Sequence, residues 1–333
     1  MLDCPAPSPP PSPPLTTPQL VFVGLRHGNR NPARFVSAAS KLSWGVGGEL
    51  ELNEVGRKQA AELADVLKAR LDSYSQPVES AFISSSTQRC LDTLEVLKCE
   101  LDHASDPTYT DDAMMRPHAS ESERNKEVWR PILTTTPDEM LPSLCQLVKD
   151  KRELLDYLSL HSGFPNDISS AADVADNVEQ MRMFGQELPP WILCPRLHDY
   201  TSQELLKDIA SFAEKPQRAG AFYQPCQDWM SKLWLADMAR RIEESRRAER
   251  KGCEVVVYCT HTEVILSTML RLGYVVDEVK TTGGFLIEVS FEDLSSPLVR
   301  LFTHTPTGKG HTISPDVEDS PWQPLLDLPP LIL

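Results

Sequence analysis

Leu20-Val21-Phe22-Val23-Gly24-Leu25-Arg26-His27-Gly28-Asn29-Arg30-Asn31-Pro32 is the stretch around which the chain is organised. Its first half, Leu20 to Leu25, is apolar and rich in β-branched and aromatic residues, the pattern of a buried strand. The second half breaks into a charged cluster of Arg26, His27 and Arg30, closed by Pro32. Open α/β sheets bind ligands at the carboxyl ends of their strands, where these residues fall. A guanidinium fork matches the oxygens of a phosphate, and an imidazole between two such forks can act as nucleophile and proton carrier. Gly28 reads as a tight turn that admits a ligand close to the backbone. Solvated strand-end arginines would explain each cation singly but the whole set poorly.

The pattern Arg26-His27-Gly28-x-Arg30-x-Pro32 resembles the signature of the histidine phosphatases, in the branch that holds acid phosphatases and phytases. The mutase branch usually follows Arg-His-Gly with an acidic residue, which Asn29 is not.

Composition narrows the partners. The 333 residues carry a formal net charge of −15, with 41% hydrophobic and 24% charged residues. That is ordinary for a globular chain with a sizeable core, and it excludes nucleic acid, whose backbone needs a basic surface. An anionic substrate would need a local basic pocket in an acidic protein. No window approaches 18 uninterrupted apolar residues, so no membrane span is expected.

Residues 1–18 hold eight of the 28 prolines and read as an extended, disordered tail. The start lacks the basic and apolar regions of a secretory signal, so a cytoplasmic location is expected, and a secreted or lysosomal one only if the N-terminus is incomplete. The eight cysteines form no Cys-x-x-Cys pair and no zinc-like spacing with histidine, which favours a reducing compartment. Cys90, Cys99, Cys253 and Cys259 read as core thiols.

Along the chain, Asn53 is placed to cap a helix over Val55–Leu71. A strand over Val78–Ile83, the polar run Ser84 to Arg89 and a helix over Cys90–Leu101 follow. Arg89 thus falls near a helix start, whose free N–H groups suit an anion. Amphipathic helical patterns over 138–160, 167–184, 201–214 and 227–250 come next, the last ending in the charged run Arg240 to Arg247, read as a solvated face. The strand Glu254–Cys259 then leads through Thr260-His261-Thr262-Glu263 into a helix over Val264–Leu272, stopped by Gly273. It repeats the strand-end histidine of the first motif. Gly283–Phe291 and Pro297–Thr303 read as two final strands, and the Pro-rich sequence from His304 as irregular.

The resemblance extends these readings. Leu52 to Gln59 is similar to the family's Leu-Thr-x-x-Gly-x-x-Gln element, with Asn53 for Thr. Trp129-Arg130-Pro131-Ile132 resembles its short strand after the second helix, and Leu188-Pro189-Pro190-Trp191 a piece of its caps. Secreted relatives hold the cap and C-terminal region with disulfides; Cys145 resembles one such position, but no cysteine follows Cys259 to pair with it. The implied fold is α/β: a mainly parallel sheet flanked by helices, with an inserted helical cap. Residues 19–110 and 251–303 would form the core, 111–250 the cap and 304–333 an irregular tail.

The implied activity is hydrolysis of a small phosphomonoester. His27 would attack the phosphoryl group in line, forming a phosphohistidine. Arg26, Arg30, Arg89 and His261 would hold the phosphoryl oxygens. Glu263 would protonate the leaving group and later activate water, His261-Thr262-Glu263 being similar to the family's His-Ala-Glu form and departing from its His-Asp form. No metal or other cofactor is implied. Two alternatives stay open: an inositol-polyphosphate phosphatase, and a non-catalytic phosphoryl-binding protein in which Thr262 stands where other relatives have their acid. The sequence assigns no oligomeric state.

Overall fold

The computed structural model describes residues 17–36, 48–74, 78–119, 123–198, 200–248, 252–315 and 322–331. Residues 1–16 of the proline-rich tail lie outside these. The strands are β1 Leu20–Arg26, β2 Val78–Ser84, β3 Thr108–Thr110, β4 Cys253–Thr260, β5 Gly284–Ser290, β6 Leu298–Thr307, β7 Gly310–Pro315 and β8 Gln323–Pro324. They form one sheet in the order β3-β2-β4-β1-β5-β6-β7, with β8 on β6. The first four are parallel and the rest antiparallel.

Helices α1 Glu54–Asp72 and α2 Gln88–Glu100 follow β1 and β2. The middle of the chain carries α3 Asp112–Met115, α4 Glu123–Leu133, α5 Pro142–Asp150, α6 Arg152–Ser162, α7 Ile168–Met183, α8 Pro190–Leu193, α9 Ser202–Ala210, α10 Lys215–Phe222 and α11 Gln224–Ala248. Helix α12, Thr262–Arg271, follows β4. The architecture is a mixed, largely parallel sheet flanked by helices, with extra helical elements over one end.

Every residue of β1 is buried, and the strand's period of two sorts them. Val21, Val23 and Leu25 join the α1 and α2 apolar faces through Leu63, Leu67, Leu94 and Leu97. Leu20 and Phe22 point to the opposite side, into a core with Trp234 of α11 and Ile265 of α12. Each such large side chain contributes about 1.5–3 kcal/mol on burial.

Three readings need correction. Trp129 to Ile132 lies within helix α4, not a strand; the short third strand is β3. Pro131 lies in the last turn, where it leaves out one intrahelical hydrogen bond, and Trp129 packs on Gly220, where an added Cβ would lie 2.7 Å from the indole. The stretch from His304 is not irregular: it completes β6, and β7 adds an edge strand, with Pro306 near the strand end. Cys99 is exposed, whereas Cys90, Cys253 and Cys259 are buried; every cysteine among the described residues is a free thiol. Within the Arg240–Arg247 run, Arg240, Glu244 and Arg247 are exposed as expected, while Arg241 is held between Asp237 and Glu254.

Candidate active site

Strand register builds the site. Arg26 pairs with Thr260 across the parallel β1–β4 ladder, so the next residues, His27 and His261, emerge side by side. Their ring centroids lie 5.4 Å apart at 66°. Ser84 pairs with Cys259 on the other side of β4, which sets Ser85 beside the same histidine. Three parallel strands thus end at one place, as the ligand crevice of an open α/β sheet requires.

His27 is 3% exposed. Its Nδ1–H donates to the Gly28 carbonyl at 2.8 Å, which leaves the Nε2 lone pair for reaction. Burial, then the charge of Arg89, the His261 ring and Arg26, hold its pKa well below that of an ordinary imidazole. The neutral form of the ring is thereby favoured.

Arg89, in the first turn of α2, donates to Nδ1 of His261 at 3.0 Å. Nε2 of His261 faces Ser85 Oγ at 3.1 Å and Thr87 Oγ1 at 3.4 Å, with the Cys90 thiol at 3.9 Å. Ser85, Thr87 and Cys90 lie in the polar run between strand and helix and just after it, but nothing in their types marked them as partners of a histidine far along the chain.

The loop after His27 is held from α1. Asn53 caps that helix, its Oδ1 accepting from Gly56 N at 3.0 Å, and Gln59 accepts from the Asn29 backbone at 3.0 Å. Gly28 and Gly56 serve this docking: a Cβ on Gly28 would lie 2.7 Å from the Gly56 carbonyl, and one on Gly56 only 2.1 Å from that of Asn29. The need for glycine at position 28 is thus helix packing, not a left-handed turn. Thr93 of α2 ties in the Gly28 N–H at 3.0 Å.

The two arginines of the motif are not free cations. Arg26 donates to the Val279 carbonyl at 2.9 Å and is paired with Glu214, which precedes α10 in a left-handed conformation, φ 53°. Arg30 is 2.9 Å from Asp176 of α7. The turn before α10 and helix α7 thus present carboxylates to both.

Glu263, in the first turn of α12, is 6% exposed. Its Oε1 is 2.9 Å from Nε2 of His118, a residue that carried no sequence signal. Burial opposes ionisation of Glu263, but the charge and hydrogen bond of His118, with His261, outweigh it and hold the carboxyl well below the usual carboxylate range.

A cavity of about 490 Å³ opens beside Arg26 and Arg30. Asp173, Asp176, Glu179, Glu214 and Glu278 line it, with Arg26, Arg30, Arg218 and Lys280, five carboxylates to four cations. Among the described residues no group of three or more His, Cys, Asp or Glu converges as metal ligands would, and no helix is long and apolar enough to cross a membrane.

The sheet, with paired histidines at neighbouring parallel strand ends, has the fold of solved phytases and of an inositol polyphosphate phosphatase. Among solved structures, the Klebsiella sp. ASR1 phytase superposes with a TM-score of 0.63 at 10% identity over 95% of each chain. Hafnia alvei phytase in complex with myo-inositol hexakis sulphate gives 0.62 at 11% identity, over 96% of this chain and 97% of that one. Bifidobacterium longum multiple inositol polyphosphate phosphatase with inositol hexasulfate gives 0.61 at 12%, over 97% and 93%. Identities this low make the likeness one of fold. No family model and no curated protein matches the sequence.

Proposed function

We propose that the chain is a phosphomonoesterase of the acid phosphatase type that works through a phosphohistidine at His27. The observation that carries this reading is a neutral, buried His27 whose Nδ1–H is committed to Gly28, beside His261 and Arg89 at one strand-end crevice. Nε2 attacks the phosphorus in line, and Arg26, Arg30, Arg89 and His261 stabilise charge on the phosphoryl oxygens. To bind there, the phosphate takes the place of Glu214 on Arg26 and of Asp176 on Arg30. Glu263 gives a proton to the departing alkoxide and recovers one from the water that cleaves the phosphohistidine.

The cavity favours a monoester over a polyphosphorylated inositol. With a phosphate dianion on Arg26 and Arg30, five carboxylates against Arg218 and Lys280 would face the further phosphates of a polyanionic ring. The solved phytases and the inositol polyphosphate phosphatase share the fold, which by itself does not carry their substrates over.

Turnover of p-nitrophenyl phosphate across pH 4–8, with acid-quench trapping of labelled phosphate, tests the proposal. Label is expected on His27 in the wild type and none in a folded His27→Ala variant. A variant that retains wild-type turnover would exclude the mechanism, and a wild type that binds phosphate without turnover would make the chain a binding protein.

A further inference from the structure

His118 lies in the 3-10 turn Pro117–Ala119, between α3 and α4, with its Nε2 2.9 Å from the buried Glu263 carboxylate. The ring stands edge-on to His261, centroids 5.8 Å apart at 87°, and edge-on to Trp129 of α4 at 6.0 Å and 79°. Its Nδ1 is buried without a hydrogen-bond partner among the described residues, so Glu263 is the polar anchor that fixes the ring. Of the other charged or titratable groups, His261 from the end of β4 acts on Glu263 and Glu263 acts on Arg89 of α2, with Arg116 and Asp112 next to Arg89 and His261 in turn.

We propose that His118 is a positioning residue for the proton donor, so that the general acid of this site is a His118–Glu263 pair sharing one proton rather than Glu263 alone. The inference rests on the phosphatase reading above and adds a residue to it. With the His118 ring 2.9 Å away, the charged form of Glu263 is favoured and the carboxylate holds no proton of its own to give. The histidine supplies it. As the phosphate dianion settles beside Glu263, the carboxylate gains proton affinity. The Nε2–H bond of His118 then breaks and an O–H bond forms on Glu263. That proton passes to the leaving oxygen as its bond to phosphorus breaks and the His27 Nε2–P bond forms. The pair is then one proton short. Water restores it in the second half-reaction, giving its hydroxide to phosphorus and its proton to Glu263 as the N–P bond breaks.

An isolated glutamic acid keeps its proton only around or below about pH 4.3, whereas the pair has a second basic site, Nε2 of His118, to hold one. The test compares wild type, His118→Gln and Glu263→Gln on p-nitrophenyl phosphate, whose phenolate leaves readily, and on 2-glycerol phosphate, whose alkoxide needs a proton. In His118→Gln the 2-glycerol phosphate kcat is expected to fall about 10- to 1000-fold near neutrality and to recover in acid, its alkaline limb moving down by about a pH unit or more. The p-nitrophenyl phosphate profile should keep its limb. An unchanged alkaline limb on the alkyl substrate overturns the proposal while leaving the phosphatase reading intact. A wild type that hydrolyses neither substrate removes both. Should the variants fail to fold, nitrogen-15 NMR of the wild type decides: His118 as an imidazolium in the free enzyme at about pH 6 supports the pair, and a neutral ring overturns it.

Discussion

The Arg89 guanidinium points at Nδ1 of His261 from 3.0 Å. Because a guanidinium can only donate, Nδ1 accepts and the ring proton sits on Nε2, facing Ser85. One contact thus fixes both the tautomer of the second histidine and the place of a cation beside it. Arg89→Ala should weaken inhibition by inorganic phosphate along with turnover. A charge-assisted contact is worth about 1.5–3 kcal/mol, so a loss of roughly 10- to 100-fold is expected. Equal inhibition of variant and wild type would remove Arg89 from the phosphate site.

Release of Arg26 should have the opposite sign. Glu214→Gln removes the carboxylate that occupies that guanidinium in the free protein. Exposed ion pairs contribute about 0.2–1 kcal/mol and this one is largely buried, so phosphate inhibition is expected to tighten by at least about two- to fivefold. Weaker inhibition would mean that Glu214 orients Arg26 for phosphate rather than competing with it.

Gly56→Ala should be destabilising out of proportion to its size. The new methyl would meet backbone atoms of Asn29 at 2.1 and 2.7 Å, which cannot rotate away as a side chain could. Overpacking of this kind costs about 1–3 kcal/mol, and any relief must push the loop after His27 off α1. A lower urea midpoint is expected together with lost phosphatase activity. An alanine variant with wild-type stability would show that the helix and loop are not packed this closely.

Acid should weaken the fold through a buried histidine pair behind β1. His304 Nδ1 and His311 Nε2 lie 3.1 Å apart, and His304 Nε2 donates to the Gly24 carbonyl at 3.0 Å. Burial lowers His304 to about 4, and burial with His304 lowers His311 to about 3. Both folded values lie below the unfolded one near 6.5, so the unfolded chain takes up protons first. The stability these rings leave intact above pH 6.5 is therefore lost as pH falls toward 4, by about 3 kcal/mol for His304. Urea midpoints at pH 7, 5.5 and 4.5 should fall in that order, and less steeply in His311→Gln. Equal slopes in the two proteins would clear the pair of any part in acid sensitivity.

The sequence by itself determined the elements with a strong local signal. The β-branched runs before His27 and His261 are strands, Asn53 caps its helix, and the arginine–histidine signature names the strand end where chemistry is expected. These are readable because strand burial, capping and the guanidinium–phosphate match act over a few neighbouring residues. The Trp129 segment, likened to a strand by resemblance, is a helix whose indole lies against Gly220, and the sequence from His304, read as irregular from its prolines, is strand where β6 and β7 pair.

Only the tertiary structure decided the rest. Register across β1 and β4 brought two histidines more than 200 residues apart into contact, and a turn ahead of α4 delivered His118 to Glu263. The inserted helices turned Arg26 and Arg30 from free cations into partners of Glu214 and Asp176. Each of these is a meeting of side chains from segments with no shared period or spacing. The electrostatic state of the site, and with it the acidity of Glu263 and the neutrality of His27, comes from burial and from those long-range neighbours, which no window of sequence contains.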